Sequence, residues 1–140
     1  MKGFTLFELV ISLTLVIALS TGAVLLVRDV RPSFELRDTV QNFQNDIQNA
    51  RIRSITEQQS YGIEFDEWQQ RYYLVRGTTR INTYYLPDNY YFSDGLPFTI
   101  DILSFDSLGA ASASGTIVIE YTSGKKKTIT ISPAGFSSID

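Results

Sequence analysis

The hydrophobic pattern divides the chain into an apolar start, a helical middle and a stranded remainder. From Leu9 to Val27 no residue carries a charge, and nearly every ionisable group lies between Arg28 and Asp140. A helix of about 19 residues, rising about 1.5 Å per residue, is close to 30 Å long, which matches the hydrocarbon core of a bilayer. The pattern therefore predicts a single membrane-spanning helix followed by one exposed domain.

A cleaved secretory signal is the alternative interpretation of the apolar start. Such a signal has a shorter apolar region that ends at a small-residue cleavage site, and the small residues from Ser20 to Ala23 resemble that site. Because Val24 to Val27 continue the apolar run beyond it, the pattern favours a membrane anchor. The flanking charges do not decide the orientation, since Lys2 lies on one side and Arg28 and Arg31 lie on the other.

A helical period continues beyond the apolar segment. Hydrophobic residues spaced three and four apart share one helix face, which we expect a sheet to cover: Leu36, Val40, Phe43, Ile47 and Ala50. The pattern predicts one long helix from Phe4 to about Gln58, bent near Pro32. Pro32 also suits the first turn of a separate helix.

After Gly62 the period changes to two, which is the period of β-strands. Segments rich in β-branched and aromatic residues, separated by turn-like stretches, predict strands at YGIEF, RYYLVRG, RINTYYL, NYYFS, FTIDILSF, TIVIEYT and KTITIS. The last two predict a hairpin that turns from Ser123 to Lys126, and GAASASG (109–115) predicts a flexible connector. One long helix packed against one or two antiparallel sheets is an α+β fold.

The start of the chain resembles the type IV pilins and pseudopilins. A short leader ending in Gly3 is followed by FTLFELVISLTLVIAL, in which Phe4 comes first and Glu8 comes fifth after the glycine. By this resemblance, a prepilin peptidase and N-methyltransferase cleaves between Gly3 and Phe4 on the cytoplasmic side and methylates the new terminus. The implied organisation is a leader (1–3), a transmembrane and assembly helix (4–27), its polar, amphipathic continuation (28–60) and an extracytoplasmic β head (61–140).

Glu8 is the carboxylate at the edge of the apolar run. An unpaired carboxylate in hydrocarbon costs several kcal/mol, so Glu8 gains by meeting the amine that cleavage exposes on Phe4, in its own chain or in a neighbouring stem. The resemblance implies that this pairing fixes the register between stems during assembly. Alternatively, Glu8 lies at the membrane interface and reaches the headgroups.

A second resemblance covers most of the remaining chain. QNDIQNARIRSITEQQSYGIEF and SFDSLGAASASGTIVIEYTSGKKKTITISPAGFSSI look like the H-type minor pseudopilins of type II secretion and the FimT-type minor pilins. The matching features are the pair Ala50 and Arg51 late in the helix, the turn from Phe105 to Gly109, and a closing strand that ends near Gly135. Arg51 is predicted to be a solvated charge or to form a salt bridge with Glu57 or another acid, rather than to bind a ligand.

This resemblance implies a structural assembly subunit, in a type II secretion pseudopilus or a type IV pilus and near the fibre tip or in an initiation complex. Its implied partners are other pilin or pseudopilin subunits, the prepilin peptidase and the inner-membrane assembly platform. The implied location is a single-pass inner membrane anchor with a cytoplasmic N-terminus and an extracytoplasmic head.

Capture of DNA by a competence pilus is an alternative function. Some FimT-type relatives bind DNA through arginines just after the last glycine, but Phe136 to Asp140 contain no basic residue. Lys125, Lys126 and Lys127 are the other cluster suited to phosphate contacts, although lysines in a hairpin turn commonly keep an exposed edge soluble. The net charge of −3 provides no general basic field. DNA binding is therefore an alternative that the sequence does not favour.

The composition gives little support to catalysis or to a bound metal. The chain has no Cys and no His, which removes thiol nucleophiles, imidazole bases and the usual zinc ligands. Asp88, Asn89 and Asp94 carry suitable oxygen atoms, but their spacing matches no standard calcium loop. We therefore expect no enzyme activity, no metal and no cofactor.

Adjacent aromatic residues in the predicted strands, such as Tyr72 and Tyr73, must point one ring to each face of a sheet. We expect the inward rings to pack in the core, and the outward rings to be available for contact with other subunits or a ligand.

The last alternative function is a membrane protein that does not polymerise and whose head binds a ligand.

Overall fold

The structure is a computed structural model that describes residues 5–93 and 102–140, except for the side chains of residues 21–32. By internal contacts the chain divides into two units, Met1–Phe34 and Glu35–Asp140. Gly3, Phe4 and Asp94 lie outside the described residues, as does the first half of the predicted strand FTIDILSF. The bend predicted near Pro32 also stays a prediction.

A single long helix precedes all the strands. Helix α1 runs from Leu6 to Glu57 and so ends one residue before the predicted Gln58. Within the described ranges, the strands are β1 (Tyr61–Asp66), β2 (Arg71–Arg76), β3 (Thr79–Tyr85), β4 (Tyr90–Ser93), β5 (Ile102–Phe105), β6 (Gly115–Tyr121), β7 (Lys126–Ile131) and β8 (Ser137–Ile139). A short 3-10 turn, Glu67–Gln69, connects β1 to β2.

The strands form two antiparallel sheets. The first sheet has the order β3-β2-β1-β5 and the second has the order β4-β6-β7-β8. The chain passes from the second sheet to the first between β4 and β5, and returns between β5 and β6. An α+β fold with a helix packed on two antiparallel sheets confirms the predicted fold class.

The predicted apolar face of α1 is the inner layer of the head. Leu36, Val40, Phe43, Ile47 and Ala50 are all at most 4% exposed and belong to one core cluster with residues of both sheets. The ring of Phe43 lies 4.8 Å from that of Tyr72 in the first sheet and 5.7 Å from that of Phe92 in the second, both edge-on. Edge-on ring pairs at these distances add to the stabilisation from burial. The helix face therefore joins the two sheets through one core.

One hydrogen bond in this layer couples a carboxylate of α1 to the first sheet. The hydroxyl of Tyr72 donates to Asp46 Oδ2 at 2.6 Å. Burial raises the pKa of the Asp46 carboxyl, and the hydrogen bond from Tyr72 opposes that rise only in part. Because the folded state holds the Asp46 proton more tightly than the unfolded state, the contribution of Asp46 to stability is greatest below its ordinary pKa. It is lost as the pH rises through the pKa of the folded state.

We expect Asp46→Asn to be at least as stable as the natural protein at pH 7. The amide oxygen still accepts the Tyr72 hydroxyl, while the cost of a partly buried charge disappears. The advantage should shrink as the pH falls through the raised pKa of folded Asp46, and it should be smallest below about 4, the ordinary pKa of an Asp carboxyl. Denaturant unfolding at both pH values measures this difference.

Asp46→Ala is the matched control for the hydrogen bond. This variant leaves the Tyr72 hydroxyl without its acceptor and should lose about 1–2 kcal/mol at pH 7. If Asp46→Asn lost as much as Asp46→Ala, the charge of Asp46 rather than the hydrogen bond would be what stabilises the head.

Candidate functional site

The start of α1, in the unit Met1–Phe34, is apolar and exposed on every side. All described side chains from Thr5 to Ser20 are exposed, including the large ones of Leu6, Phe7, Leu9, Val10, Ile11, Leu13, Leu15, Val16, Ile17 and Leu19. The hydroxyls of Ser12, Thr14 and Ser20 each donate to a preceding carbonyl at 2.7–2.8 Å, so they do not depend on water. Among the described residues, no helix reaches the combination of length and apolarity that spanning a bilayer demands.

Glu8 forms a reciprocal cap with Thr5 at the first turn of this helix. Glu8 Oε2 accepts the backbone N–H of Thr5 at 3.2 Å and its hydroxyl at 3.1 Å, and the N–H of Glu8 donates to Thr5 Oγ1 at 3.3 Å. A threonine followed three residues later by a glutamate, with each side chain bonded to the other's backbone N–H, is a capping box. The carboxylate also lies at the helix end where the backbone dipole favours negative charge. The cap thus holds Glu8 at the N-terminal edge of the apolar segment.

The second candidate site is the junction around Arg51, in the unit Glu35–Asp140. Arg51 Nε donates to the carbonyl of Gly109 at 3.0 Å, and its guanidinium carbon lies 4.3 Å from the centre of the Phe136 ring. Gly109 belongs to the loop after β5, and Phe136 directly precedes β8. The side chain of Arg51 therefore contacts a loop that follows a strand of the first sheet and a residue that precedes a strand of the second sheet.

Gly135 allows these segments to approach each other. A Cβ atom at Gly135 would lie 2.1 Å from the carbonyl oxygen of Gly109 and 2.8 Å from Arg51 Nε. The backbone of Gly135 also has φ +80, in the left-handed region that glycine adopts without strain. The position therefore excludes every side chain.

The junction corrects one sequence prediction. Arg51 does not pair with Glu57, because residues six apart point to different faces of a helix. The carboxylate of Glu57 instead accepts the hydroxyl of Tyr61. The fold brings together the three features on which the second resemblance is based. Arg51, the turn that ends at Gly109 and the closing Gly135 all meet at this junction.

The three lysines near the chain end lie in the turn after β6 and at the start of β7. Lys125 lies in the turn between β6 and β7, where its carbonyl accepts the N–H of Tyr121 at 2.8 Å. Lys126 and Lys127 are the first two residues of β7 and lie opposite Glu120 and Ile119. Because neighbouring residues of a strand point to opposite faces, the side chains of Lys126 and Lys127 diverge. This arrangement does not favour a phosphate-binding groove.

Sequence reasoning missed two exposed aromatic residues. Phe136 is 60% exposed although its ring stacks on Arg51, and Trp68, in the 3-10 turn, is 98% exposed. In the sequence, Trp68 lies in the polar stretch DEWQQ between the predicted strands YGIEF and RYYLVRG. The only sequence feature that could have marked Trp68 as an exposed residue is its position within a polar turn.

The chain is similar to proteins of bacterial secretion and pilus systems. The profile of the family described as Type II transport protein GspH matches residues 39–135, a span that ends on Gly135. The type IV minor pilin FimU of Pseudomonas aeruginosa (strain PAO1) has a similar structure, with a TM-score of 0.64 and 15% sequence identity over 78% of this chain and 90% of that one.

The minor pseudopilin EpsH from the Type 2 Secretion System of Vibrio cholerae is also similar. It has a TM-score of 0.63 and 17% identity over 76% of this chain and 96% of that one. No curated protein matches the chain in sequence. The two structures share the fold of the head, and the family profile covers Arg51, Gly109 and Gly135 of the junction.

Gly135→Ala should destabilise the head by about 3 kcal/mol or more, because the added methyl meets backbone and the residue keeps a strained conformation. Gly124→Ala is the matched control, since Gly124 has a similar φ of +86 but nothing within 4 Å of an added Cβ. The control should lose only about 1 kcal/mol. Denaturant unfolding of the two variants measures the difference, and equal losses would contradict the close approach at the junction.

Proposed function

The chain belongs to the GspH family of type II transport proteins, and we propose on that premise that this minor pseudopilin or pilin subunit enters its fibre through Glu8. The fibre is a type II secretion pseudopilus or a type IV pilus, and the subunit serves in its initiation or tip complex. Family members are structural components of such fibres, and the proposed role includes no catalysis. The head contacts neighbouring heads, and the stem packs among neighbouring stems.

One observation supports this proposal above the others, namely a carboxylate held at the start of an apolar helix. Thr5 presents two donors to Glu8 Oε2, while the side chains that follow are apolar and exposed. Cleavage between Gly3 and Phe4 would create an amine one residue before Thr5, within about 4 Å of the N–H that already reaches Glu8. Such a charge pair in hydrocarbon would allow one stem helix little movement along the next, because any other register between the two stems leaves a charge unpaired.

The proposed topology is the one that the resemblance to type IV pilins and pseudopilins implies. Residues 1–3 are the leader and residues 4–27 are the anchor and stem in the inner membrane. Residues 28–60 continue the helix, and residues 61–140 form the head outside the cytoplasm. The proposed processing partners are a prepilin peptidase that methylates Phe4 and the inner-membrane assembly platform.

DNA capture is not favoured as the function of this head. Lys126 and Lys127 point to opposite sides of β7, and the guanidinium of Arg51 is bonded to Gly109 and stacked on Phe136. Phosphate binding needs several cations on one surface.

Glu8→Gln should lower incorporation into filaments at least about tenfold, in cells that lack other copies of the subunit. The amide oxygen still accepts the N–H of Thr5, so the helix start is kept, but the pairing with an amine loses its charge. Quantitative immunoblotting of sheared filaments or isolated pseudopili measures the incorporated fraction.

Thr5→Val is the matched control for Glu8→Gln. It removes the hydroxyl and costs the cap about 1 kcal/mol, but it keeps the charge, so its incorporation should fall less. Unchanged incorporation of Glu8→Gln would show that the carboxylate has no role in assembly.

The mature protein should begin at Phe4 with a methylated amino group. Intact-mass and terminal-peptide mass spectrometry of protein from its native host measures this directly. A functional protein that retains Met1 would contradict the processing step and would favour an anchor that does not polymerise.

A further inference from the structure

Trp68 is a fully exposed tryptophan at the tip of a hairpin. It is 98% exposed and is the only tryptophan of the chain. A large aromatic side chain in water gives the fold no burial energy, so folding alone does not account for Trp68. Tryptophan is, however, among the residues most enriched at the energetic centres of protein interfaces.

The turn that carries Trp68 is held rigidly. Asp66 Oδ1 accepts the N–H of Gln69 at 3.2 Å, and Asp66 Oδ2 accepts Arg71 Nε at 3.0 Å. Gln70 donates its side-chain amide to the carbonyl of Glu67 and accepts the N–H of Phe92 at 2.9 Å, which ties the turn to the second sheet. A side chain on a preorganised turn loses little conformational entropy on binding.

Two clefts flank this turn. One has a volume of about 390 Å³ and is lined by Trp68 with Glu64, Asp66, Glu67 and Arg80. The other has a volume of about 460 Å³ and is lined by Gln69 and Gln70 of the turn and by residues that include Tyr85 and Asp88. Tyr85 is itself 68% exposed. We call Trp68, the two clefts and Tyr85 the Trp68 surface.

The arginines of this region are bonded to the protein itself. Arg80 holds Glu64 through two hydrogen bonds of 2.9 and 2.6 Å, and its guanidinium carbon lies 3.9 Å from the centre of the Tyr73 ring. Arg71 Nε binds Asp66 at 3.0 Å, and its guanidinium carbon lies 5.2 Å from the centre of the same Tyr73 ring. Their positive charges are therefore already neutralised locally.

Acidic side chains remain in excess around Trp68. The two clefts are lined by four acidic residues, Glu64, Asp66, Glu67 and Asp88, and by the basic residue Arg80. Even when Arg71, the ion-pair partner of Asp66, is counted with them, the acidic side chains outnumber the basic ones and the net charge is negative. An indole ring beside carboxylates attracts a cationic side chain both through the ring and through the charges, and tryptophan is the best ring for this contact. An anionic partner would meet repulsion here.

We propose that the Trp68 surface docks a basic loop or extended segment of a second protein, with a Lys or Arg side chain stacked on the indole of Trp68 and directed toward Glu67. The chemistry that recognises the partner is thus an exposed cation on a protein surface. This inference does not depend on how the stem assembles, because every residue in it belongs to the head.

The sole tryptophan makes the proposal directly measurable by fluorescence. The full chain in detergent micelles is titrated with a tetra-arginine peptide and with the matching tetra-citrulline peptide, which has the same shape but no charge. The arginine peptide should change the Trp68 emission and protect it from acrylamide quenching, and added salt should weaken the effect. Equal effects of both peptides, or no effect of either, would overturn the proposal.

Two matched charge variants locate the bound peptide. Glu67→Gln should weaken the affinity for tetra-arginine about two- to fivefold, whereas Asp38→Asn, the same change at an exposed position of α1 outside the surface, should not. Equal weakening by both variants would mean that the peptide responds to overall charge, which contradicts a docking surface at Trp68.

The natural partner is tested by photocrosslinking in the native host. Benzoylphenylalanine replaces Gln69, the exposed neighbour of Trp68, in the full chain, and in a control it replaces Leu108, which is 82% exposed elsewhere on the head. Position 69 should crosslink to a protein peptide that contains Lys or Arg, and position 108 should not give that product. No crosslink, a peptide without a basic residue, or a crosslinked polysaccharide would overturn the proposal. Because Glu8→Gln is read from filament incorporation, failure of either proposal leaves the other standing.

Discussion

The structure of the head depends on the last turns of α1 packing against both sheets at once. Within the described residues, the two sheets share no strand ladder, and α1 packs against both of them in one core. Phe43 supplies an apolar contact to both sheets. Arg51, about two helical turns further on, adds a polar one through the loop after β5 and the segment before β8. Loss of the helix face would therefore weaken the packing of both sheets rather than of one of them.

Local periodicity was enough to predict most elements of this fold, but not strand β8 and not most of the strand pairings. The face from Leu36 to Ala50 and the strands before residue 94 follow from spacing alone, because amphipathic helices and strands repeat within a few residues. Strand β8 was missed because Ser137–Ile139 is short and mostly polar. Its first residue is held by the amides of Gln44 and Gln48, which donate to Ser137 O and Oγ at 2.9 and 2.8 Å. Contacts between residues so far apart in the chain leave no local pattern.

The candidate sites also differ in whether a local sequence pattern or only the folded chain reveals them. The cap between Thr5 and Glu8 spans three residues and matches a known sequence signature. The environment of Arg51 needed the folded chain, because its partners, Gly109 and Phe136, belong to segments far away in sequence. The predicted pairing with Glu57 failed for a local reason that helix geometry supplies, since the two residues point to different faces. Trp68 had no pattern around it, and only its exposure in the folded chain makes it a candidate.

The two proposed attachments of this subunit use the same kind of charge in opposite environments. Glu8 offers a carboxylate to an amine within hydrocarbon, where the pair is hardly screened and its strength comes from the cost of leaving either charge alone. The Trp68 surface offers carboxylates and an indole to a cation in water, where a Debye length of about 8 Å at physiological salt weakens the attraction. The stem contact should therefore be persistent and insensitive to salt, whereas the head contact should weaken as the ionic strength rises. A subunit built in this way can stay in a fibre while its head exchanges partners.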